Sequence, residues 1–138
     1  SERLGPSCAL TFIKKHKKLN LGKKLNVIGL KIKKIWKDAA KKNNLEIDIF
    51  GINPLATFKL KTKNWPVTIT FFIQEMLKYN ILASDRCYAN YAHDEKSLNT
   101  YRNACEKVFK RIADLEKKGT LKKHLENPVK QMGFTRLT

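Results

Sequence analysis

Between Asp94 and Gly119, the residues Leu98, Tyr101, Cys105, Val108, Phe109, Ile112 and Leu115 recur every three or four positions. That period holds one apolar face for about five helical turns. A helix so one-sided has to be covered along its length, so the rest of the chain is expected to build a core against it. Asp94 has the side-chain oxygen to cap the first amides of this helix, and Gly119 has the backbone freedom to end it.

The neighbouring segments supply the covering pieces. Leu25, Ile28, Ile32, Ile35, Trp36 and Ala39 predict a second amphipathic helix that ends near Asn43-Asn44. Gly29 inside it costs about 1 kcal/mol relative to Ala unless close packing requires it. Upstream, Ala9, Leu10, Phe12 and Ile13 precede a lysine cluster in a helix opened by Pro6 and broken at Asn20-Leu21-Gly22. Ile47, Ile49 and Ile52 mark a β-prone run, and Ala56 to Lys61 alternate apolar and polar, so two antiparallel strands are expected. Trp65-Pro66 introduces a helix whose face is Ile69, Phe72, Ile73, Met76 and Leu77, and Cys87 to Tyr91 suits a third short strand. The fold class read from these elements is α+β, a small antiparallel sheet of about three strands packed on helices.

Size and charge narrow the function. A chain of 138 residues with 42% hydrophobic content buries one ordinary core. No apolar run reaches the roughly 20 residues that cross a bilayer, and Ser1 to Pro6 lack a signal-peptide layout, so a soluble, cytoplasmic protein without a membrane partner is expected. Cys8, Cys87 and Cys105 form neither a CxxC pair nor a set with histidine at ligand spacing, which points to reduced thiols and no metal.

The formal net charge is +17, yet only five of the 29 basic residues are arginine: Arg3, Arg86, Arg102, Arg111 and Arg136. Lysines spread along helical faces are mostly solvated, and readers of phosphate and base edges favour the arginine fork. Nucleic acid is therefore not the expected partner. A basic module for polyanions stands as an alternative on charge alone, and a non-catalytic interaction domain stands as another.

The sequence contains no GxSxG, HExxH, GxxxxGK[ST] or GxGxxG, and His16, His93 and His124 lie far apart. What it does contain is a conjunction of segments in a particular order. Ser1-Glu2-Arg3-Leu4-Gly5-Pro6-Ser7-Cys8-Ala9-Leu10, then Gly51-Ile52-Asn53-Pro54-Leu55, then Phe72-Ile73-Gln74-Glu75-Met76-Leu77, Ile81-Leu82 and Tyr91-Ala92-His93-Asp94 resemble the C-terminal part of class-III pyridoxal-phosphate aminotransferases. Enzymes similar to glutamate-1-semialdehyde aminomutase belong to that family. The likeness extends over essentially the whole chain, although no single piece is as specific as a metal motif.

The resemblance implies that residues 1–22 are the helical end of a large cofactor domain and that residues 23–138 are a small C-terminal domain of a fold-type-I enzyme. It implies amino-group transfer or exchange on an amino-acid or amino-aldehyde substrate by a homodimeric parent using pyridoxal 5'-phosphate. The family's cofactor lysine lies upstream of Ser1, so no lysine here is assigned that role and the segment alone is expected to be inactive. Asp85, eight residues before His93, falls where the aminomutase carries a small-domain glutamate near the active site. Asp85 is thus a candidate substrate-binding residue. Arg86 is a second, through its fork geometry toward a carboxylate. Ser1 is a candidate cofactor contact by its position beside the family's phosphate loop. His93, at the mouth of a helix, is expected to cap or pack rather than react.

Overall fold

The computed structural model describes residues 3–131 and 133. Among them run α1 (Leu4–Leu19), α2 (Leu21–Lys42), β1 (Ile47–Phe50), β2 (Leu55–Leu60), α3 (Trp65–Leu77), β3 (Arg86–Tyr88) and α4 (Glu95–Lys118), followed by a 3-10 turn at Leu121–His124. The strands form one antiparallel sheet in the order β1-β2-β3. The expected α+β architecture with a small three-strand sheet is therefore present.

β2 is the middle strand, and its alternation decides where the core lies. Ala56, Phe58 and Leu60 are buried, whereas Lys59 is exposed. Ile49 pairs with Phe58 across one edge of β2, and Cys87 pairs with Ala56 across the other. The buried face is covered by helices, and Phe58 is its hub. Its ring lies 4.8 Å from Trp36 of α2, 5.3 Å from Phe72 of α3 and 5.8 Å from Phe109 of α4. Aromatic contacts at such separations add to the area they bury.

α4 is capped as its sequence requires. The Asp94 carboxylate accepts from the Ser97 amide at 2.7 Å, and Gly119 adopts φ 64° in the left-handed region. Leu98, Cys105, Val108, Phe109, Ile112 and Leu115 are buried along its length. α2 packs on α4 and on the sheet, and Gly29 is where it meets the β1–β2 turn. A Cβ there would lie 1.8 Å from the Asn53 carbonyl oxygen, so the expected cost of this glycine is offset by close approach.

Several local expectations change. The break between α1 and α2 is Asn20 alone, at φ 49° and ψ 47°, and Leu21 and Gly22 already belong to α2. The division expected between residues 22 and 23 thus falls in the first turn of that helix. Ile52 lies outside β1, and β3 spans Arg86–Tyr88 rather than running on to Tyr91, which sits in a turn. α3 does not present a single face. Val67 to Phe72 and Gln74 to Met76 are all buried, while Leu77 is exposed. This helix is wedged between β2, α4 and the 3-10 turn, and an element covered on several sides has no solvent stripe. Among the described residues no helix is long and apolar enough to cross a membrane.

Candidate functional site

The chain between α3 and α4 carries most of the candidate residues. Asn80 at φ 58° turns the chain after α3, aided by the Ile81 amide, which donates to the Met76 carbonyl at 3.1 Å. Ser84 and Asp85 then lead into β3, and the Phe58 amide donates to the Asp85 carbonyl at 2.9 Å, extending the β2–β3 ladder by one bond. Asp85 is thereby fixed to the sheet through its backbone.

The side chains of Asp85 and Arg86 lie in different surroundings. The Asp85 side chain keeps 14% of its exposure and the Arg86 side chain 61%. Ser84 Oγ donates to Asp85 Oδ1 at 2.7 Å, and Lys130 Nζ stands 3.4 Å from the same oxygen. Oδ2 faces Arg86 Nε at 3.8 Å, too long for a hydrogen bond. Burial pushes this carboxyl upward, but the Ser84 hydroxyl and the Lys130 and Arg86 charges outweigh it and hold it below the usual aspartate value. Asp85 is therefore an ionised, half-buried carboxylate.

Arg86 and Ser84 border an open cavity of about 650 Å³ together with His93, Lys96, Ser97 and Tyr101. His93 Nδ1 accepts from the Asn90 amide at 3.2 Å, which ties the imidazole into the turn ahead of α4. At the floor, the Tyr101 hydroxyl accepts from Trp36 Nε1 at 2.7 Å, and its burial raises the phenol well above its ordinary value. The Cys105 thiol behind it is pushed up to about 12 by burial. Neither group is a nucleophile at neutral pH. Asp94 lines the cavity as well and Asp85 does not, and the Ser84 and Ser97 hydroxyls already donate to the Asp85 carboxylate and the Asp94 carbonyl, so the lining carries charges of both signs, with Arg86 and Lys96 as its cations.

Ser1 lies outside the described residues. Among the described residues no lysine is buried, and no group of three metal-binding side chains comes together. A lysine that anchors a pyridoxal cofactor has to be desolvated and oriented, so this chain supplies no residue that fits as the covalent anchor.

No family model, curated protein or solved structure matches this chain.

The polar cluster around Glu75 was not identified in the sequence. Glu75 is 3% exposed and pairs with Arg111 of α4 and, at 2.8 Å, with Lys78. Hydrogen bonding to the Glu75 carboxylate, and then to Glu126, raises the Lys78 ammonium above its ordinary value. Gln74 beside it donates to the His124 carbonyl at 3.0 Å and accepts from the Glu126 amide at 2.8 Å. One signal was available: Glu75 is the sole charged residue in the sequence of α3. A lone carboxylate in so apolar a helix calls for a buried cationic partner.

Proposed function

We propose that this chain is the C-terminal part of a class-III pyridoxal-phosphate aminotransferase or aminomutase, and that its share of the work is to position a substrate and exclude water. The observation that carries the proposal is α1. Leu4 to Ile13 contain no charged residue, yet no residue of α1 is buried, and Leu4, Leu10, Phe12 and Ile13 stand exposed. At about 100° per residue these four point to all sides of the helix, the pattern of an element enclosed by a larger body. The remainder closes around its own core, so the picture is a small α+β domain with one helix reaching into something more. The sequence resemblance implies a division of the same kind, drawn after residue 22 rather than at Asn20.

The cofactor supplies the electron sink for amino-group transfer, and the parent's upstream segment would hold it. This chain's residues have narrower duties. Asp85 offers a carboxylate to a cationic amine, Arg86 offers a guanidinium to a substrate carboxylate, and the small domain orients both against the cofactor domain.

The test is to express the whole reading frame that contains this chain, incubate it with pyridoxal 5'-phosphate, reduce with borohydride and map the labelled peptide. The label is expected on one lysine N-terminal to Ser1, with amino transfer in the unreduced protein. Label on a lysine of this chain, or none anywhere, overturns the proposal. The basic surface offers a rival: α1 and α2 hold twelve lysines against Asp38 alone. A gel-shift series with RNA that shows steep salt dependence and selectivity above that of polylysine would favour that rival.

A further inference from the structure

We infer that the groove around Tyr91, between α1, α2 and the turn ahead of α4, binds an anion that carries a flat ring, of the class of a nucleoside diphosphate. The groove shares no lining residue with the candidate cavity and needs no part of the proposed amino transfer. α1 meets the rest of the fold along one side only. His16 and Leu19 are its half-buried residues, and its other residues are exposed. Phe12, His16 and Leu19, at i, i+4 and i+7, share that side of the helix. Leu10 and Ile13 lie about 100° or more around the helix from Phe12, which leaves them to the larger body proposed above.

Two open cavities meet at Tyr91. One, of about 270 Å³, is lined from α1 by Phe12, Lys15, His16 and Leu19, and the other, of about 600 Å³, is lined from α2 by Lys23, Lys24 and Val27. Tyr91 borders both, and no carboxylate lines either. In this the groove differs from the candidate cavity, where Asp94 stands among the cations. The Lys15 and Lys23 side chains have no ion pair or hydrogen bond among the described residues, so nothing has to be broken before they meet a phosphate. Lys24 Nζ donates to the Tyr91 hydroxyl at 3.2 Å and stands 4.8 Å from the ring centroid. The turn that carries the ring is itself held, because Asn90 Oδ1 accepts from the Ala92 amide at 2.9 Å and His93 Nδ1 accepts from the Asn90 amide. Tyr91 nonetheless keeps 51% of its exposure and Phe12 63%. A placed, half-exposed ring among cations of one sign offers a face for stacking and charge for phosphate, the two interactions that hold nucleotide units. Lysines on both sides of the ring call for more than one phosphate charge.

The experiment is equilibrium dialysis of ADP against the 138-residue chain, with tripolyphosphate as the charge alone and adenosine as the ring alone. ADP is expected to bind about tenfold or more tighter than either. Tyr91→Ala and the double variant Lys15→Gln/Lys23→Gln are each expected to weaken ADP about tenfold, the size of one lost stacking contact. Tyr91→Phe keeps the ring and should bind as wild type does. Lys117→Gln/Lys118→Gln removes the same charge from the exposed end of α4 and should leave the affinity unchanged. All the substituted side chains are exposed, so the variants are expected to fold. Absence of ADP binding, tripolyphosphate bound as tightly as ADP, or wild-type affinity in Tyr91→Ala overturns the inference. So does a single-stranded RNA that displaces ADP and binds far more tightly, since the groove would then belong to a strand. None of these outcomes depends on where a pyridoxal label falls.

Discussion

α1 and α4 are both long helices that carry large apolar residues and have lysines in their last turn, and they meet opposite fates. α4 spans 24 residues, with eight buried, a carboxylate cap at Asp94 and a left-handed glycine at its end. α1 spans 16 residues, with none buried and no side-chain cap at its start. The difference lies in arrangement rather than in content. Apolar residues on one face give a helix a side to bury against its own domain, whereas those of α1 point in every direction and are met here only by α2. Tertiary packing, more than propensity, stabilises helices in proteins, so α4 is an anchor and α1 is an arm.

Thiol chemistry gives the widest separation between the two. Cys8 lies exposed on α1, and Cys105 is buried on α4 with its thiol pushed up to about 12. Modification at Cys105 has to pass through opening of the core, whereas modification at Cys8 does not. A rate ratio on the order of 10³ or more is expected from ordinary domain stability. Timed labelling with mass spectrometry reads it directly. Comparable rates would mean that α4 does not anchor the core.

Truncation of an aromatic residue on each helix comes next. Phe109→Ala opens a cavity among Phe58, Phe72 and their neighbours and is expected to cost roughly 3–5 kcal/mol. Phe12→Ala removes a side chain that is 63% exposed, and it should change stability by no more than about 0.5 kcal/mol. Urea unfolding of both variants makes the comparison. If Phe12→Ala were as costly as Phe109→Ala, α1 would belong to the core of this domain after all.

Charge removal is expected to separate the helices by less. Arg111 of α4 reaches Glu75, which is 3% exposed, and Arg111→Met leaves that carboxylate with Lys78 as its cation. The expected loss is about 1–2 kcal/mol, since a buried polar group is left only partly satisfied. Lys15→Met on α1 removes the same charge from an exposed position and should be nearly silent. Equal effects from the two would show that the Glu75 pair is loosely held.

These contrasts also show how far residues reveal structure. α4 was legible because its period, its capping aspartate and its terminal glycine agree, and each acts within a few residues of itself. The alternation of Ala56 to Lys61 revealed β2 for the same reason. α3 was only half legible. Its period suggested one face, but β2, α4 and the 3-10 turn enclose it, and no local pattern records how many neighbours a helix will have. Asp85 is a candidate only through the family resemblance, by its position eight residues before His93, and its contact with Lys130 depends on a segment that returns from 45 residues away. Glu75 is the lone charge of α3, a signal the sequence reading leaves unused, and its partner Arg111 lies 36 residues further along. Contacts of that range arise from the fold and not from spacing.

The smallest effect concerns the ends of the two helices. The Asp94 carboxylate accepts from the Ser97 amide at the start of α4, while the Ser97 hydroxyl donates to the Asp94 carbonyl. Hydrogen bonding to Ser97, the amide first, holds the carboxyl below its ordinary value of 3.8. A group depressed in the folded state stabilises it fully above the unfolded pKa, and this contribution fades as pH falls through the folded one. α1 has neither a side-chain cap nor an acidic residue in its first turn, so it adds nothing of this kind. Asp94→Asn keeps a capping oxygen but removes the titration. The Tm of wild type should therefore fall slightly more steeply than that of Asp94→Asn as pH drops below about 4, with the two curves running parallel near neutrality. If they stayed parallel throughout the acid range, the cap would act through its hydrogen bond alone, and the electrostatic part of the contrast between α4 and α1 would disappear.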